Sequence, residues 1–584
     1  MAANILDACT ARVATSANPE CPTALTHIHG TITHPLYGEL ATVSGTMVNR
    51  NVLRGTFLQI LDGESDELHQ FSQKLFDKNG FLKPELIEHD YHRGTGCWGE
   101  EVNDGLLVYI DTIEVNKNFH RSGVGSWAMQ QLLSSPHLGT NYHAFAWPTS
   151  IEGGITRAQF NYNRDRAVAF FRKNNFRRVG RTPFFAYSPD SNHSSRAIPI
   201  SEDAEGNAIF SRENEEPDVV PVPEDIGPLP EEQEERMRAH MQRYMLHHLI
   251  AASSATMAGP LGMPMLPQLA QLPQIEQTIA QVNITNPDAI HRQDEQGMTP
   301  LHLAAGMHNL RALRALLGPS LGPNNARSEL ERRDNTDGVT PLEACEREMR
   351  NDKEFRETML GAWNGYPDEG LRCAYELRRA MGEEVGDETT YVRSKKWGCT
   401  CGQCVDGWLS PRMGYRISWQ ATVWHDMIRE DPPRFKRGGG FDYAVGLDTL
   451  PPRLANKFTR PLFNSYLSLF PAIDRVIESK RVPTSDAVLA DAGSAARSFI
   501  QKGGKVKYAL DLVTLAAEEQ SPVGDNEWDS LMDDLIQEGS ELGMKFHNMV
   551  KCTNDLEFGF VRQQLGLPKE TSWFKEDSDE DDFL

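Results

Sequence analysis

The residues best suited to chemistry lie at one junction, HRSGVGS (His120–Ser126). It joins a strand-like run, LLVYIDTIEV (Leu106–Val115), to an apolar helical pattern, VGSWAMQQLL (Val124–Leu133). Glycine is costly inside regular elements, so Gly123 and Gly125 imply a chain that turns tightly or lets a ligand approach its backbone. Such a turn leaves N–H groups facing open space, and the helix N-terminus adds partial positive charge, which together suit a phosphate or pyrophosphate. No GK[ST] follows, so this is not a Walker loop, and Ala128 stands where a dinucleotide fingerprint has its third glycine. A plain strand–helix turn is the other reading of the same residues.

Two carboxylates, Asp111 and Glu114, interrupt the apolar run and are the candidate bases. Strand alternation puts them on opposite faces unless a bulge intervenes, and puts Tyr109 on the face of Asp111. His143 opens the next strand-like run, and Trp98 in RGTGCWGEE could line an acceptor pocket or belong to the core. A second cluster is Cys399-Thr-Cys401-Gly-Gln-Cys404. Three thiols in six residues can clamp zinc if a fourth ligand exists. Cys345, Cys373 and His425 are candidates at unpersuasive spacings, so no metal is assigned. The alternative is a turn with small buried thiols. The histidines His240, His247 and His248 read as surface or boundary positions.

The elements that must position these residues follow from pattern. Residues 39–50 and 52–61 read as strands, 65–77 and 83–88 as helical, and 106–116 as a strand. Helix 124–135, strand 142–148, helix 163–174 and a strand near 176–187 complete a mixed α/β domain. Residues 1–34 read as a flexible N-terminus, and 191–273 as an acidic, Pro-rich linker with a helix near 231–252. In that helix Met237, Met241, Met245 and Leu249 form an apolar stripe. Residues 390–565 read as mainly helical and 566–584 as an acidic tail.

With 584 residues, three or four domains are expected. Of the net charge of −23, residues 202–235 hold −12 and residues 576–584 hold −6, leaving only −5 elsewhere. Without a domain-wide basic excess, nucleic-acid binding is disfavoured. No run of 18 apolar residues exists, so no membrane span is expected. The N-terminal residues lack a signal-peptide pattern, so a cytoplasmic or nuclear setting is expected, with the nine cysteines reduced or metal-bound.

Two resemblances sharpen this reading. The stretch VNKNFHRSGVGS (Val115–Ser126) resembles motif A of the GNAT acetyltransferases, R/Q-x-x-G-x-G/A, and AVAFFRKNNFRRVG (Ala167–Gly180) resembles their A-x-x-F-Y-x-x-x-G-F hallmark. They implicate residues 35–190. The resemblance implies acetyl-CoA as co-substrate, with its pyrophosphate on the N–H groups of Arg121, Ser122, Gly123, Val124, Gly125 and Ser126. Its pantetheine would lie along Ile113 and Val115, and the Ile113 N–H would polarise the thioester carbonyl. Asp111 and Glu114 would serve as base toward an amine acceptor. His120 replaces the usual Arg or Gln, Phe171 the usual Tyr acid, and Asn175 the glycine, a position where Asn tolerates a left-handed backbone.

The second resemblance rests on Gly297-Met-Thr-Pro-Leu-His-Leu-Ala-Ala305, echoed by Gly338-Val-Thr-Pro-Leu-Glu-Ala-Cys345. It resembles the ankyrin repeat over about 274–380, with IEQTIAQVN before and EFRETMLGAW with GLRCAYELRRAMG after as degenerate neighbours. The Thr-Pro pairs stand 41 residues apart, longer than the family's period of about 33, and Glu343 replaces the histidine. The expected architecture is therefore multidomain: an α/β GNAT-like mixed sheet, an all-α ankyrin solenoid and a helical C-terminal region. The expected function is acetyl transfer to an amine, protein or small molecule, with the ankyrin surface holding a protein partner. The alternative is a catalytically weak domain in a binding scaffold.

Overall fold

A seven-stranded mixed sheet organises the N-terminal part of the computed structural model. Its strands are β1 (Thr10–Ala17), β2 (Leu25–His34), β3 (Gly38–Val48), β4 (Leu106–Val115), β5 (Tyr142–Ala146), β6 (Arg177–Arg178) and β7 (Phe185–Tyr187), in the order β1-β2-β3-β4-β5-β7-β6. All neighbours are antiparallel except β4 and β5. The structure describes residues 5–53, 56–149, 156–207, 231–254, 275–318, 328–360, 362–437, 439–441, 446–447, 450–519 and 526–568. The chain resolves into two units: residues 1–252, 272–303 and 331–341 form the first, and 253–271, 304–330 and 342–584 the second.

Five helices flank the sheet: α1 (Phe57–Glu64), α2 (Asp66–Leu75), α3 (Pro84–Glu88), α4 (Val124–Leu133) and α5 (Arg157–Lys173). Phe57 and Leu61, one helical turn apart, join Leu68, Phe71, Leu75 and Tyr109 in the core on one face. Ile28, Val43, Val108, Ile110, Met129 and Leu132 fill the core on the face covered by α4. Ser65 caps α2 by accepting from the Leu68 N–H at 3.1 Å, and Asp66 and Glu67 complement the helix dipole.

Several expectations are corrected. Residues 10–34, expected to be flexible, form β1 and β2, so the domain starts well before residue 35. Of residues 52–61, read as a strand, Val52 ends a 3₁₀ turn and Phe57–Leu61 lie in α1. The α5 helix begins at Arg157, earlier than expected, and the final strand is the hairpin β6–β7. Residues 191–207 of the expected linker are packed: buried Asp203 accepts from Arg172 Nε at 2.6 Å, and Asn207 accepts from the Tyr91 hydroxyl at 3.0 Å. Residues 208–230 and 255–274 lie outside the described residues, as does the tail from 569 on. The helix near 231–252 is two, Glu231–Arg243 and Met245–Ala252. Its Met241 and Met245 are exposed, while Tyr244, Leu246, His247 and Ile250 are buried.

The Thr-Pro repeats start helices at Pro300 (Pro300–Gly306) and Pro341 (Pro341–Phe355). Each follows a turn closed by an aspartate: Asp294 Oδ1 accepts from Gln296 and Met298 N–H, and Asp334 Oδ1 from Thr336, Asp337 and Gly338 N–H. The imidazole of His302, fully buried, joins them. Its Nδ1 accepts from Thr299 N–H at 3.2 Å, and its Nε2–H donates to the Val339 carbonyl at 3.1 Å. Truncation to alanine orphans both groups and leaves a cavity, so His302→Ala is expected to cost about 2–3 kcal/mol by urea unfolding. Burial pushes the His302 pKa down. The unfolded chain then binds the proton more readily than the native one, so this network loses stability as pH falls below about 6.5.

The second unit is helical. Its longest helix, Pro411–Glu430, packs on Leu469–Glu478 and Val506–Glu519 around Met413, Ile417, Tyr466, Phe470 and Val513. No helix among the described residues is long and apolar enough to cross a membrane.

Candidate functional site

The sheet itself opens the site. The ladder between β4 and β5 runs from Leu106–Tyr142 to Ile110–Ala146 and stops. β4 continues for five residues, Asp111 to Val115, paired only with β3 among the described residues. This half of β4 has one edge without a strand, and a backbone N–H on that edge is available to a ligand.

A bulge marks the same point. Ser44 pairs with Thr112 and Gly45 with Ile110, so Asp111 is the extra residue. Glycine is needed opposite it, because a Cβ on Gly45 would lie 2.6 Å from the Tyr109 carbonyl oxygen. The bulge also shifts the strand's phase. Ile110 and Ile113, three apart, both pack toward α4, and Val115 packs against Val124 and Ala128. Asp111 and Glu114, expected on opposite faces, therefore both turn to the face of Tyr109, away from α4. Both are exposed.

Asp111 sits in a polar recess on that face. The Thr46 hydroxyl donates to its Oδ2 at 3.3 Å. Desolvation by the surrounding walls raises the carboxyl to about 6 although it retains solvent contact; the Thr46 bond and His27 oppose the rise, and Glu67 and Glu64 add to it. His27 Nε2 lies 3.7 Å from Glu64 Oε1, and Asn18 donates to Glu64 Oε2 at 2.7 Å. A carboxylate poised near neutral pH is suited to accept a proton. Thr46, His27, Glu64 and Glu67 escape sequence reading because they meet Asp111 only through sheet register and α1–α2 packing.

The glycine turn meets the open strand from the other side. Gly123 has φ +89°, a left-handed conformation that favours glycine, and Arg121 shares that region at φ +62°. No side chain caps α4, whose first internal bond runs from Trp127 N–H to the Gly123 carbonyl at 3.0 Å. The N–H groups of Val124, Gly125 and Ser126 precede that bond and are the uncommitted donors of a helix start. A Cβ on Gly125 would lie 3.2 Å from Val115 Cγ2 and 3.3 Å from Phe170 Cε2, so the turn presses directly on the end of β4. The residues expected to bind a cofactor, Ile113, Val115 and His120–Ser126, are thus brought together. His120 folds back, its Nε2–H donating to the Val115 carbonyl at 2.9 Å, and Ser122 donates to the Phe119 carbonyl.

Other expectations resolve as structure. Trp98 is core, its Nε1–H donating to the Arg177 carbonyl at 3.2 Å. His143 is buried and its pKa pushed down to about 4, first by desolvation and then by Arg50, so it remains a neutral ring. Phe171 is buried against Phe176 and Phe170. Asn175 adopts φ +68°, as expected for the residue ending α5.

The three clustered thiols also find a partner, in the second unit. It is Cys552, whose Sγ lies 3.5 Å from Cys404 Sγ; Cys399–Cys401 and Cys401–Cys404 are each 3.8 Å apart. All four sulfurs lie within 4.8 Å of one another. The suggested fourth ligands are elsewhere: Cys345 donates to the Gly370 carbonyl, and His425 pairs with Asp426. Cys552 is 148 residues from Cys404, a distance over which spacing carries no signal.

No family model, curated protein or solved structure matches the chain.

Proposed function

We propose that the first unit is an N-acyltransferase of the GNAT type, moving acetyl from acetyl-CoA to an amine. The observation that carries this reading is the half-open β4, whose unpaired edge ends against an uncapped glycine turn. The turn supplies N–H groups and dipole for the pyrophosphate. The pantetheine fits the strand edge left by β5, where the Ile113 N–H would polarise the thioester carbonyl as charge develops on it. Asp111, on the opposite face of the same strand, accepts the amine's proton directly or through water. Glu114, three residues beyond the bulged Asp111 on the same face, is the second carboxylate.

Resemblance of the two motifs to the GNAT pattern supports the same reading. The Thr-Pro helices, with their aspartate-closed turns, support an ankyrin-like surface for a protein partner. Phe171 favours a second reading, a domain that holds acetyl-CoA with little transfer, because no hydroxyl there can protonate the leaving thiolate. Labelled acetyl transfer onto a panel of peptide and small-molecule amines separates the two. Transfer supports the enzyme; acetyl-CoA binding with no transfer to any acceptor supports the scaffold.

A further inference from the structure

The second unit carries a site of different chemistry. Cys399, Cys401 and Cys404 lie in the loop between the helices Glu388–Lys395 and Pro411–Glu430. Cys552 precedes the 3₁₀ turn Thr553–Leu556. A tetrahedral ion with metal–sulfur bonds of about 2.3 Å holds its sulfurs about 3.8 Å apart. The observed contacts of 3.8, 3.8 and 3.5 Å have that spacing, while a disulfide would need about 2.05 Å. All four thiols are free of disulfides. Four sulfurs within 4.8 Å of one another enclose room for a single ion, not for a cluster with bridging sulfides.

The surroundings are arranged for sulfur as acceptor. Gly402 N–H points at Cys399 Sγ at 3.2 Å, and Gln403 N–H at Cys401 Sγ at 3.4 Å. Gly402 adopts φ +70°, which folds the loop so that those N–H groups face inward. Donors of this kind orient thiolate ligands and spread their charge. The two segments are also tied independently of sulfur. Thr553 N–H donates to Thr400 Oγ1 at 3.1 Å, and Asn554 donates to the Trp408 carbonyl at 3.3 Å. Asp555 accepts from the Ser410 hydroxyl at 2.6 Å and from Cys552 N–H at 2.8 Å. Cysteines 399 and 552 are buried, the other two half-buried.

We propose that Cys399, Cys401, Cys404 and Cys552 bind one structural zinc ion that pins the turn at residues 552–555 to the loop at residues 399–410. Four thiols lose four protons to the solvent on binding, and no electron is transferred. Four protein ligands close the coordination sphere, so the ion holds structure and takes no substrate. Zinc is preferred to ferrous iron by the usual order of affinities.

The test is elemental analysis of the purified full-length chain. About one zinc per chain is expected, retained by Cys373→Ser and lost from Cys404→Ser and Cys552→Ser. Loss of the ion is expected to lower the Tm of the second unit by about 10 °C or more. Should those variants fail to fold, cobalt supplied to the chelator-treated parent decides: thiolate-to-cobalt charge-transfer bands of a tetrahedral S₄ site are expected. Iron in place of zinc, a Cys404–Cys552 disulfide in the parent, or four titratable thiols with no metal and no cobalt bands would each overturn the proposal.

Discussion

Replacing Asp111 by asparagine is expected to lower kcat/KM for acetyl transfer by about 10²- to 10⁴-fold while acetyl-CoA affinity changes by less than about twofold. Asparagine keeps the shape and can still accept from Thr46, but it cannot take the proton that an ammonium acceptor must lose. The pH profile adds a second signature. With the carboxyl raised to about 6, the parent's kcat/KM should climb as pH rises through 6, and that limb should vanish in the variant. Stability should move the other way. A carboxyl with a raised native pKa binds its proton more tightly when folded, so native stability falls as pH rises from about 4 to about 6. At pH 7 the charged Asp111 is therefore a cost, and Asp111→Asn should be at least as stable as the parent. A purely structural aspartate would give the reverse: lost stability and an unaltered pH limb.

The second large effect lies in the helical unit. Arg562, on the helix Phe558–Gln564, is almost wholly buried against Asp511 of the helix Val506–Glu519. It also donates to Thr514 Oγ1 at 3.1 Å and to the Pro568 carbonyl at 2.8 Å. Removing Arg562 takes its ion-pair contact from the buried Asp511, so Arg562→Met should destabilise this unit by about 3–5 kcal/mol. Arg562→Met/Asp511→Leu should recover most of the loss, because two apolar side chains carry no desolvation debt. Urea unfolding of both variants measures this. A double variant no more stable than the single one would show that the cost is packing rather than charge.

Legibility in the sequence followed the range of the forces involved. The strand at 106–115 and the helix at 124–133 are readable because a short apolar run rich in β-branched residues and an apolar helical period are local signals, and so is the glycine turn between them. The helical character of the C-terminal region was readable for the same reason. β2 does not stand out as a strand in the sequence, because three histidines and Gly30 dilute the β-branched Ile28, Thr31, Ile32 and Thr33. Gly30 has a tertiary reason: a Cβ there would lie 2.9 Å from Val43 Cγ1. Residues 52–61 carry β-branched Val52, Thr56 and Ile60, but tertiary packing of Phe57 and Leu61 overrides that preference. The methionine stripe at 237–249 has ideal spacing, yet the buried face is the one bearing Tyr244, Leu246 and His247. Within the candidate site, Asp111 and Glu114 were visible as interruptions of an apolar strand. Their common face was not, because a one-residue bulge inverts every later side chain and depends on how β3 pairs. The fourth cysteine is a matter of topology alone.

The central claim is that the glycine turn at the end of β4 holds the phosphates of acetyl-CoA, and calorimetric titration tests it. Acetyl-CoA would be titrated into the full-length chain, into Gly123→Asp and into Gly123→Asn. A Cβ at position 123 meets only Leu6 Cδ1 at 3.6 Å, and both replacements are of one size and tolerate the left-handed backbone. They differ in charge. Roughly micromolar binding is expected for the parent, within a few-fold of it for Gly123→Asn, and at least about 100-fold weaker for Gly123→Asp, whose carboxylate would face the pyrophosphate. Equal affinities for the two variants, or no binding by the parent, would contradict the claim and leave the two glycines as a turn.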